Sequence, residues 1–325
     1  MVKVSVCIPV YGVEKYIERC ARSLFEQTMS DGIEYIFVND CTKDRSIEIL
    51  EQVLSEYPQR KDQVKIIHHE KNGGLVAARN TGLKHASGDY IIHCDSDDWV
   101  DVNMYEVMYN KAIATDADMV CCFHYISNGD MHTAVSLPHF DSTEDFIRLV
   151  LYGKISWSLC SKLYKRSIAC AKDTIFCPEN IVVAEDLFRT AKMLVHCKKI
   201  VAVPIPMYYY RMNLQSVMHN IKPVHLENMI AASDFTYSLF CNQNIYSQAL
   251  VFRQMNTACT LLFNKYPNDD KLSEYIKPFR LRDYLRNISY DKRIVVLFIA
   301  SISLPLGKIC CFALNWLRST KRRMK

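Results

Sequence analysis

The stretch Gly88–Trp99 reads GDYIIHCDSDDW and joins an apolar run to a cluster of three carboxylates. Tyr90–Ile92 has the composition of a buried strand, and the carboxylates follow where that strand would reach the surface. Because alternate side chains of a strand point to the same face, Asp95 and Asp97 can lie side by side. Adjacent carboxylates are costly to desolvate without a cation, and oxygen ligands suit Mg²⁺ or Mn²⁺. For an isolated D-x-D, a solvated acidic turn that caps the next helix is the commoner alternative.

The segments around this stretch alternate between β-rich runs and amphipathic helices. The predicted strands are Lys3–Pro9, Glu34–Asn39, Val64–His68, Gly88–Cys94 and Asp118–Tyr125. The predicted helices are Val13–Gln27, Ser46–Tyr57, Leu75–Ala86 and Val102–Thr115. This alternation predicts an α/β fold with a mostly parallel, Rossmann-like sheet flanked by helices. Ligands of such sheets bind beyond the carboxyl ends of the strands, so functional residues are expected there.

The composition narrows the class of protein. Of the 325 residues, 50% are hydrophobic and 23% charged, which predicts a globular chain with a substantial core. The formal net charge of +5 is too small to indicate a nucleic-acid partner. The 14 cysteines include no C-x-x-C pair, so reduced thiols in a cytoplasmic protein are expected. The N-terminus shows no pattern of a secretory signal, which agrees with that location.

The last third of the chain has a different character. From about Val224 onward, segments rich in Leu, Phe and Met predict a helical extension. Ile294–Trp316 is then almost wholly apolar, is broken by a Pro-x-Gly-Lys sequence and is followed by a basic tail. We expect a kinked or interfacial helix pair that associates peripherally with the inner face of the cell membrane. A buried terminal hairpin with a solvated tail is the alternative.

Three more strand ends carry unusual residues. The first strand ends in CIPVYG, and its Tyr11 could stack on a base. The second ends in FVNDCTKD, where Asp40 could accept an N–H from a base or cap the next helix. After the third strand, the glycine pair of NGGLVAARN permits close approach of the backbone to a ligand. Arg79 in that segment could reach a diphosphate or form a structural ion pair.

Together these motifs resemble the N-terminal domain of the family-2 inverting glycosyltransferases, which have the GT-A fold. The resemblance covers about residues 3–215 and rests on VSVCIPVY, FVNDCTKDRS, NGGLVAARNTGL and GDYIIHCDSDDW in that order. The first expected domain is a glycosyltransferase domain over 1–223. Within it, about 1–125 would bind the nucleotide sugar and about 126–223 would form the acceptor and catalytic part. A helical extension over 224–293 and a membrane-associating tail over 294–325 would follow.

The resemblance implies how the donor is held. Pro9 and Tyr11 would line the nucleotide base, and Asp40 would form a hydrogen bond with it. Asp95 would lie near the ribose and the metal. Asp97 would be the main protein ligand of the Mn²⁺ or Mg²⁺ ion bound to the donor diphosphate, and Arg79 is a further candidate for donor binding.

Two positions depart from the family pattern. Asn39 stands where many relatives carry a first aspartate, and we interpret it as a tolerated variation because Asp40 is retained. Cys41-Thr42 replaces the commoner Gly-Ser.

The segment IVVAEDLFR at 181–189 looks like the family's Glu-Asp pair at the start of a helix, in which the aspartate is the catalytic base. That role would fall to Asp186, with Glu185 as a candidate acceptor ligand. Capping of the helix is the other explanation for both carboxylates. Trp157 resembles an aromatic residue that packs on the acceptor sugar, and a plain core position is equally consistent.

A loop after the segment YYYR at 208–211 could close over the diphosphate through Arg211 or His219. A structural arginine and a surface histidine are the alternatives for these two residues.

The sequence therefore predicts a metal-dependent inverting glycosyltransferase. It would move a sugar from a nucleotide-diphosphate sugar, expected to be a UDP-sugar, to a hydroxyl of a saccharide or lipid-linked acceptor in cell-surface polysaccharide synthesis. One alternative is a catalytically inactive, membrane-recruited binding protein on the same fold. Another is a sugar-nucleotide pyrophosphorylase, but Gly12–Lys15 is not the basic glycine-rich loop expected there. No P-loop motif is present.

Overall fold

The computed structural model describes residues 1–170, 177, 181–213 and 221–323, with backbone alone from 316. The chain divides into two compact units. The first comprises Met1–Leu149 and Lys154–Leu214, and the second comprises Val150–Gly153 and Gln215–Lys325. The domain limits expected from the sequence stay predictions.

One sheet forms the centre of the first unit. Its nine strands in the described residues are β1 (Val4–Val10), β2 (Ile33–Asn39), β3 (Val64–His68), β4 (Tyr90–His93), β5 (Trp99–Val100), β6 (Met119–Asn128), β7 (Met131–Val135), β8 (Lys162–Lys165) and β9 (Ile200–Arg211). Their order is β3-β2-β1-β4-β8-β6-β9-β5, with β7 paired to β6. β1 is buried over almost its whole length, as expected for a strand covered on both faces.

The helices of this part are α1 (Ile17–Phe25), α2 (Ser46–Ser55), α3 (Gly74–His85), α4 (Met104–Thr115), α5 (Thr143–Leu151), α6 (Arg166–Ala169) and α7 (Glu185–His196). A short 3₁₀ segment, Pro58–Gln63, precedes β3. Helix α1 is amphipathic and buries Ile17, Cys20 and Leu24. It begins later than predicted because Val13 and Tyr16 form a turn instead, with the Tyr16 N–H donating to the Val13 carbonyl at 2.8 Å.

The predicted α/β fold class is confirmed, although the sheet is more mixed than the alternation over the first 125 residues suggests. β1 pairs in parallel with β2 and β4, as do β2 with β3 and β6 with β9. The pairs β4–β8, β6–β8, β6–β7 and β5–β9 are antiparallel. A hairpin turn at Asn128-Gly129, a sequence pair typical of such turns, joins β6 to β7.

Glu34 is a buried carboxylate in β2 that connects neighbouring segments of this unit. It accepts hydrogen bonds from Ser5 Oγ at 2.6 Å and from the Ser87 backbone N–H at 2.7 Å, and it pairs with Lys65 Nζ at 2.7 Å. Burial raises the pKa of Glu34, but the hydrogen bonds from Lys65, Ser5 and Ser87 outweigh burial, so the pKa is lowered.

The substitution Glu34→Gln is expected to remove a pH-dependent part of the stability. Because the folded-state pKa lies below the unfolded value of about 4.3, this contribution is present above that pH and is lost as pH falls through the folded-state pKa. Urea unfolding between about pH 3 and 7 should show a steeper acid loss of unfolding free energy in the wild type than in Glu34→Gln. The exposed control Glu51→Gln should follow the wild type. Equal pH dependence in wild type and Glu34→Gln would contradict the linkage.

The second unit is helical in its described residues. Its helices are α8 (Pro223–Phe240), α9 (Ser247–Phe263), α10 (Asp269–Ile276), α11 (Leu281–Asn287), α12 (Ile294–Ile302) and α13 (Leu304–Arg323), with a 3₁₀ turn at Asn244–Tyr246. Its core includes Met255, Ala258 and Cys259 of α9, against which Leu297 of α12 packs.

The apolar tail forms a helix pair, as predicted. The break lies at Ser303, whose backbone is extended, and Pro305 falls in the first turn of α13. Gly307 is required for the close approach of the two helices, because a Cβ there would overlap Ala300. One face of α12 is buried, as the buried-hairpin alternative requires, but Leu306, Ile309 and Phe312 of α13 are exposed. In the part of the chain that the structure describes, no helix is long and apolar enough to cross a membrane.

Candidate active site

The candidate donor residues follow the carboxyl ends of β1, β2 and β4, which are parallel neighbours. The Asp40 N–H donates to the Val10 carbonyl at 3.0 Å, and Ser96 Oγ donates to the Pro9 carbonyl at 2.6 Å. Tyr11 comes directly after β1 and is 54% exposed. The sheet thus brings Tyr11, Asp40 and the acidic turn at 95–98 to the same edge, as the topology of parallel strands requires.

Asp40 organises the glycine turn that precedes α3. Its Oδ1 accepts the Gly73 N–H at 2.8 Å, and its Oδ2 accepts the Gly74 N–H at 2.7 Å. Oδ1 also lies 2.8 Å from His69 Nδ1. Gly74 has a φ of 83°, a conformation that favours glycine. The carboxylate is therefore buried and already engaged, so a hydrogen bond to a base would use the lone pairs that remain on its oxygens.

The loop after β2 contains both departures from the family pattern. Cys41 has a φ of 59°, in the left-handed region where glycine is the unstrained choice. Asn39 Oδ1 accepts the Thr42 N–H at 2.9 Å, which stabilises the loop without a carboxylate. Thr42 Oγ1 in turn accepts the Gly12 N–H at 2.9 Å and so connects this loop to the one after β1.

The acidic turn is held by two arginines. Asp95 Oδ1 accepts a hydrogen bond from Arg79 Nη2 at 2.8 Å, and Asp97 Oδ2 accepts one from Arg211 Nη2 at 2.7 Å. The turn closes on itself, because the Asp98 N–H donates to the Asp95 carbonyl at 3.0 Å. Both Asp95 and Asp97 keep about a third of their side-chain surface exposed, at 32% and 29%. Burial and the nearby Asp95 carboxylate raise the pKa of Asp97.

Asp98 is a buried anchor for the turn, a role that could not be assigned from the sequence. Its Oδ2 accepts the Tyr208 hydroxyl at 2.5 Å, and its Oδ1 accepts the Arg211 N–H at 2.7 Å. Burial, together with repulsion from Asp95 and Asp97, raises the pKa of Asp98 well above its usual value. Asp98 therefore joins the acidic turn to the end of β9 and does not face a ligand.

A line of alternating charges joins the acidic turn to the Glu-Asp pair. Nε of Arg79 lies 3.1 Å from Glu185 Oε1, and Nε of Arg189 lies 3.2 Å from Glu185 Oε2. Arg189 also donates to the side-chain oxygen of Asn80 at 2.6 Å. The side chains of Arg79 and Glu185 are only 5% and 6% exposed. Burial raises the pKa of Glu185, although Arg79 and Arg189 oppose the shift.

These contacts favour the structural alternatives for two residues. Glu185 is enclosed between two arginines, so its placement argues against the predicted contact with an acceptor. Arg79 already bridges Asp95 and Glu185, and its Nη1 is buried without a hydrogen-bond partner among the described residues. We interpret Arg79 as the residue that positions Asp95, and direct donor binding by it remains a prediction.

Asp186 lies beside this network, in the first turn of α7. Its side chain is half-buried, and Oδ1 accepts the Leu187 N–H at 2.8 Å. The residue before the pair, Ala184, has a φ of 64°, which is uncommon for a residue with a Cβ. Such a conformation persists only where the surroundings impose it, and such residues cluster at functional sites.

Three predicted site residues remain, Trp157, Arg211 and His219. Trp157 is buried and its carbonyl accepts the Thr190 hydroxyl at 2.7 Å, which favours the core alternative. The guanidinium of Arg211 stacks on the Tyr16 ring, 3.7 Å from its centroid. His219 lies outside the described residues.

Lys162 is a buried cation that was not among the predicted site residues. Its Nζ donates to the carbonyls of Ser156 and Ser158 at 2.8 and 2.5 Å. Burial lowers the pKa of Lys162, and Asp186 is among the groups that oppose this shift. The feature of the sequence that could have pointed to Lys162 is its place in the short strand KLYK at 162–165.

The acidic turn is chemically suited to a divalent cation. Asp95 and Asp97 are hard oxygen ligands that remain partly accessible, and they lie two residues apart in one turn. Among the described residues, no group of three or more His, Cys, Asp or Glu side chains could hold a metal ion by itself.

Comparisons with known proteins show the family to which this chain belongs. The family model described as glycosyl transferase family 2 matches residues 5–188. The chain is 32% identical over 247 residues to the putative glycosyltransferase EpsH of Bacillus subtilis, a match that covers 74% of this chain and 70% of that one. It is also 32% identical over 235 residues to the poly(ribitol-phosphate) beta-glucosyltransferase of Bacillus spizizenii, which covers 71% of this chain but only 36% of that longer one.

Among solved structures, the fold is similar to that of S. aureus TarS 1–349 in complex with UDP-GlcNAc. The TM-score is 0.73 at 20% identity, and the match covers 94% of this chain and 89% of that chain.

Proposed function

This chain belongs to glycosyltransferase family 2, and we propose that it transfers a sugar from a UDP-sugar, with inversion, to a hydroxyl of a saccharide or lipid-linked acceptor in cell-surface polysaccharide synthesis. Membership of this family makes the chain a glycosyltransferase and not a pyrophosphorylase. The UDP-GlcNAc complex of TarS supports a UDP-sugar, and the poly(ribitol-phosphate) relative supports a polymer as acceptor.

The contact that carries the proposal is the double bridge made by Arg79. One guanidinium contacts both Asp95 of the acidic turn and Glu185 of the Glu-Asp pair, although these residues are far apart in the sequence. The bridge ties the expected donor site to Glu185, the chain neighbour of the expected catalytic carboxylate Asp186. A donor and an acceptor held at these two places would meet, and such positioning supplies a large part of enzymatic rate enhancement.

We propose that the base and ribose lie at the edge formed by Pro9, Tyr11, Asp40 and Asp95. The exposed ring of Tyr11 provides an apolar face on which a base could stack. The buried Asp40 fixes the turn before α3, whose backbone bounds this edge of the sheet.

Asp97, with Asp95, would hold Mn²⁺ or Mg²⁺ against the donor diphosphate. A bound divalent cation would stabilise the negative charge that the departing nucleotide diphosphate acquires. Arg211 pairs with Asp97 through its side chain and with Asp98 through its backbone. Arg211 therefore lies where a cationic side chain could turn from Asp97 to the diphosphate.

Asp186 would act as the general base. Its half-buried carboxylate would take the proton of the acceptor hydroxyl while that oxygen attacks the anomeric carbon, and the bond to the nucleotide diphosphate would break on the opposite face. A single displacement of this kind inverts the configuration and needs no covalent sugar–enzyme intermediate.

The substitution Asp97→Asn tests the donor site. We expect it to raise the Mn²⁺ concentration needed for half-maximal release of UDP from UDP-sugars by at least about tenfold, because removing a ligand weakens a metal site at least as much as removing its supporting contacts. The measurement is UDP release from a panel of UDP-sugars during Mn²⁺ titration.

The matched control is Asp130→Asn, an exposed aspartate in the β6–β7 turn, which should leave the titration unchanged. If the wild type released no more UDP than Asp97→Asn with every sugar in the panel, the proposed donor class would be wrong.

We also propose that the second unit associates peripherally with the cytoplasmic face of the membrane. Ile302, Leu306 and Ile309 on the terminal helix pair are 73%, 56% and 63% exposed, which is unusual for clustered large apolar side chains. The sequence beyond them carries five basic residues in 318–325, which would suit anionic lipid.

The triple substitution Ile302→Ser, Leu306→Ser and Ile309→Ser should reduce sedimentation with phosphatidylglycerol vesicles at least about tenfold, because each exposed aliphatic side chain contributes about 1.5–3 kcal/mol when it leaves water. Deletion of 294–325 is a poorer test, since Ile294 and Leu297 belong to the core. The control Ile113→Ser with Ile205→Ser changes exposed apolar residues of the first unit. Equal sedimentation of the triple variant and this control would reject the proposal.

A further inference from the structure

A cavity of about 720 Å³ lies within the second unit, between the end of α9, the start of α10 and the middle of α13. Its walls are mostly apolar and include Leu262, Tyr266, Cys311 and Phe312. The volume is in the range of pockets that hold small organic ligands. Neither the transfer reaction nor the donor site uses this cavity.

Two lysines lie at the cavity. Lys265 follows α9 with a φ of 55°, in the left-handed region, and its Nζ lies 6.0 Å from the centroid of the Phe312 ring. Lys308 of α13 also lines the cavity and pairs with Asp269. Two ammonium groups and one carboxylate leave a net positive charge beside an apolar space. This combination is complementary to an anionic group attached to a hydrocarbon chain.

The aromatic wall of the cavity reaches the protein surface. Phe312 lines the cavity, yet it is 65% exposed. Ile309 is one turn earlier on α13 and belongs to the exposed apolar face described above. The lining of the cavity is thus continuous with the face that we place against the membrane, and a lipid chain could pass from one to the other.

We propose that this cavity binds one acyl chain of an anionic membrane phospholipid, with Lys265 and Lys308 contacting its phosphate. The lipid would fill the apolar space, and the lysines would select for negative charge. The proposal rests on the membrane association above only for the source of the ligand, and binding of a soluble lipid analogue does not depend on that association.

The test uses the full-length protein without donor or acceptor. Dodecyl phosphate, kept below its micellar concentration, should raise the melting temperature in a saturable way. Inorganic phosphate should not raise it, and the uncharged dodecyl maltoside should bind at least about fivefold more weakly, since an interfacial basic residue contributes about 1 kcal/mol toward an anionic headgroup. The proposal would be overturned if dodecyl phosphate raised the melting temperature no more than inorganic phosphate does. It would also be overturned if dodecyl phosphate bound no more tightly than dodecyl maltoside.

Lys265→Gln and Lys308→Gln should each weaken the binding of dodecyl phosphate about fivefold. The control is Lys277→Gln, which changes an exposed lysine of the same unit away from the cavity and should bind as the wild type does. Equal affinity in the three variants would show that the lysines do not recognise the phosphate and would reject the site.

The lipid source is tested by native mass spectrometry after extraction from vesicles with equal phosphatidylglycerol and phosphatidylcholine. One retained phosphatidylglycerol per chain is expected, and equal retention of both lipids would overturn the choice of an anionic lipid. UDP release is measured separately, so failure of the lipid site and failure of the transferase proposal are distinguishable.

Discussion

Replacing Asp186 with asparagine is expected to lower the rate of sugar transfer by about 10²–10⁴-fold, the usual contribution of a positioned general base. Asparagine keeps the size of the side chain and an oxygen that can still accept the Leu187 N–H, so the first turn of α7 should be preserved. It cannot take the proton of an acceptor hydroxyl at neutral pH. The loss should therefore appear in kcat, with donor affinity nearly unchanged.

The measurement compares transfer to the acceptor with binding of UDP to the same preparation. Asp145→Asn is the matched control, because Asp145 also lies in the first turn of a helix, α5. That variant should transfer sugar at the wild-type rate. If Asp186→Asn retained more than about a tenth of the wild-type kcat, another group would have to be the base.

Glu185→Ala is expected to lower the free energy of unfolding by about 3–5 kcal/mol, as found when one partner of a buried ion pair is removed. The change would leave Arg79 and Arg189 close together in the interior without the carboxylate that separates them. Because Arg79 also holds Asp95, we expect donor binding to weaken in the same variant. Urea unfolding measures the first effect and UDP binding the second.

The two controls separate charge from packing. Glu144→Ala removes an exposed glutamate from the first turn of α5. It should lower the free energy of unfolding by no more than a typical surface substitution does, about 0.5 kcal/mol. Glu185→Gln retains the hydrogen-bond acceptor but not the charge, so it should lose nearly as much stability as Glu185→Ala. If Glu185→Gln were as stable as the wild type, the alternating charges would not be what holds this part of the site together.

Much of the fold could be predicted because local patterns specify it. The strand Val64–His68 was predicted with its observed limits, and the predicted limits of α2 and α3 differ from the observed ones by one or two residues. These segments have clear periodicity, and periodicity depends only on neighbours along the chain. The antiparallel insertion of β8 between β4 and β6 could not be predicted, because a four-residue strand carries little pattern of its own.

For the site, the residue types could be predicted better than their contacts. Asp40 was expected to face a base or to cap α2, yet it holds the turn before α3. Glu185 was expected near the acceptor, yet it is buried between two arginines. The partners of Asp40 in the turn before α3, and Arg79 beside Glu185, lie far away in the sequence, where no local spacing rule applies. Only the pair of Glu185 with Arg189 follows the i,i+4 spacing of a helix.

By itself, the sequence determined the α/β alternation, the order of the motifs at the strand ends and the helix pair at the C-terminus. These depend on composition, periodicity and short-range turn chemistry. Only the tertiary structure decided which carboxylates are accessible and which are enclosed. Asp95 and Asp97 stay partly in solvent, whereas Asp98 and Glu185 are buried against distant partners. The physical reason is that the energy of a charge depends on its solvation and on nearby opposite charges, and both are known only once remote segments have come together.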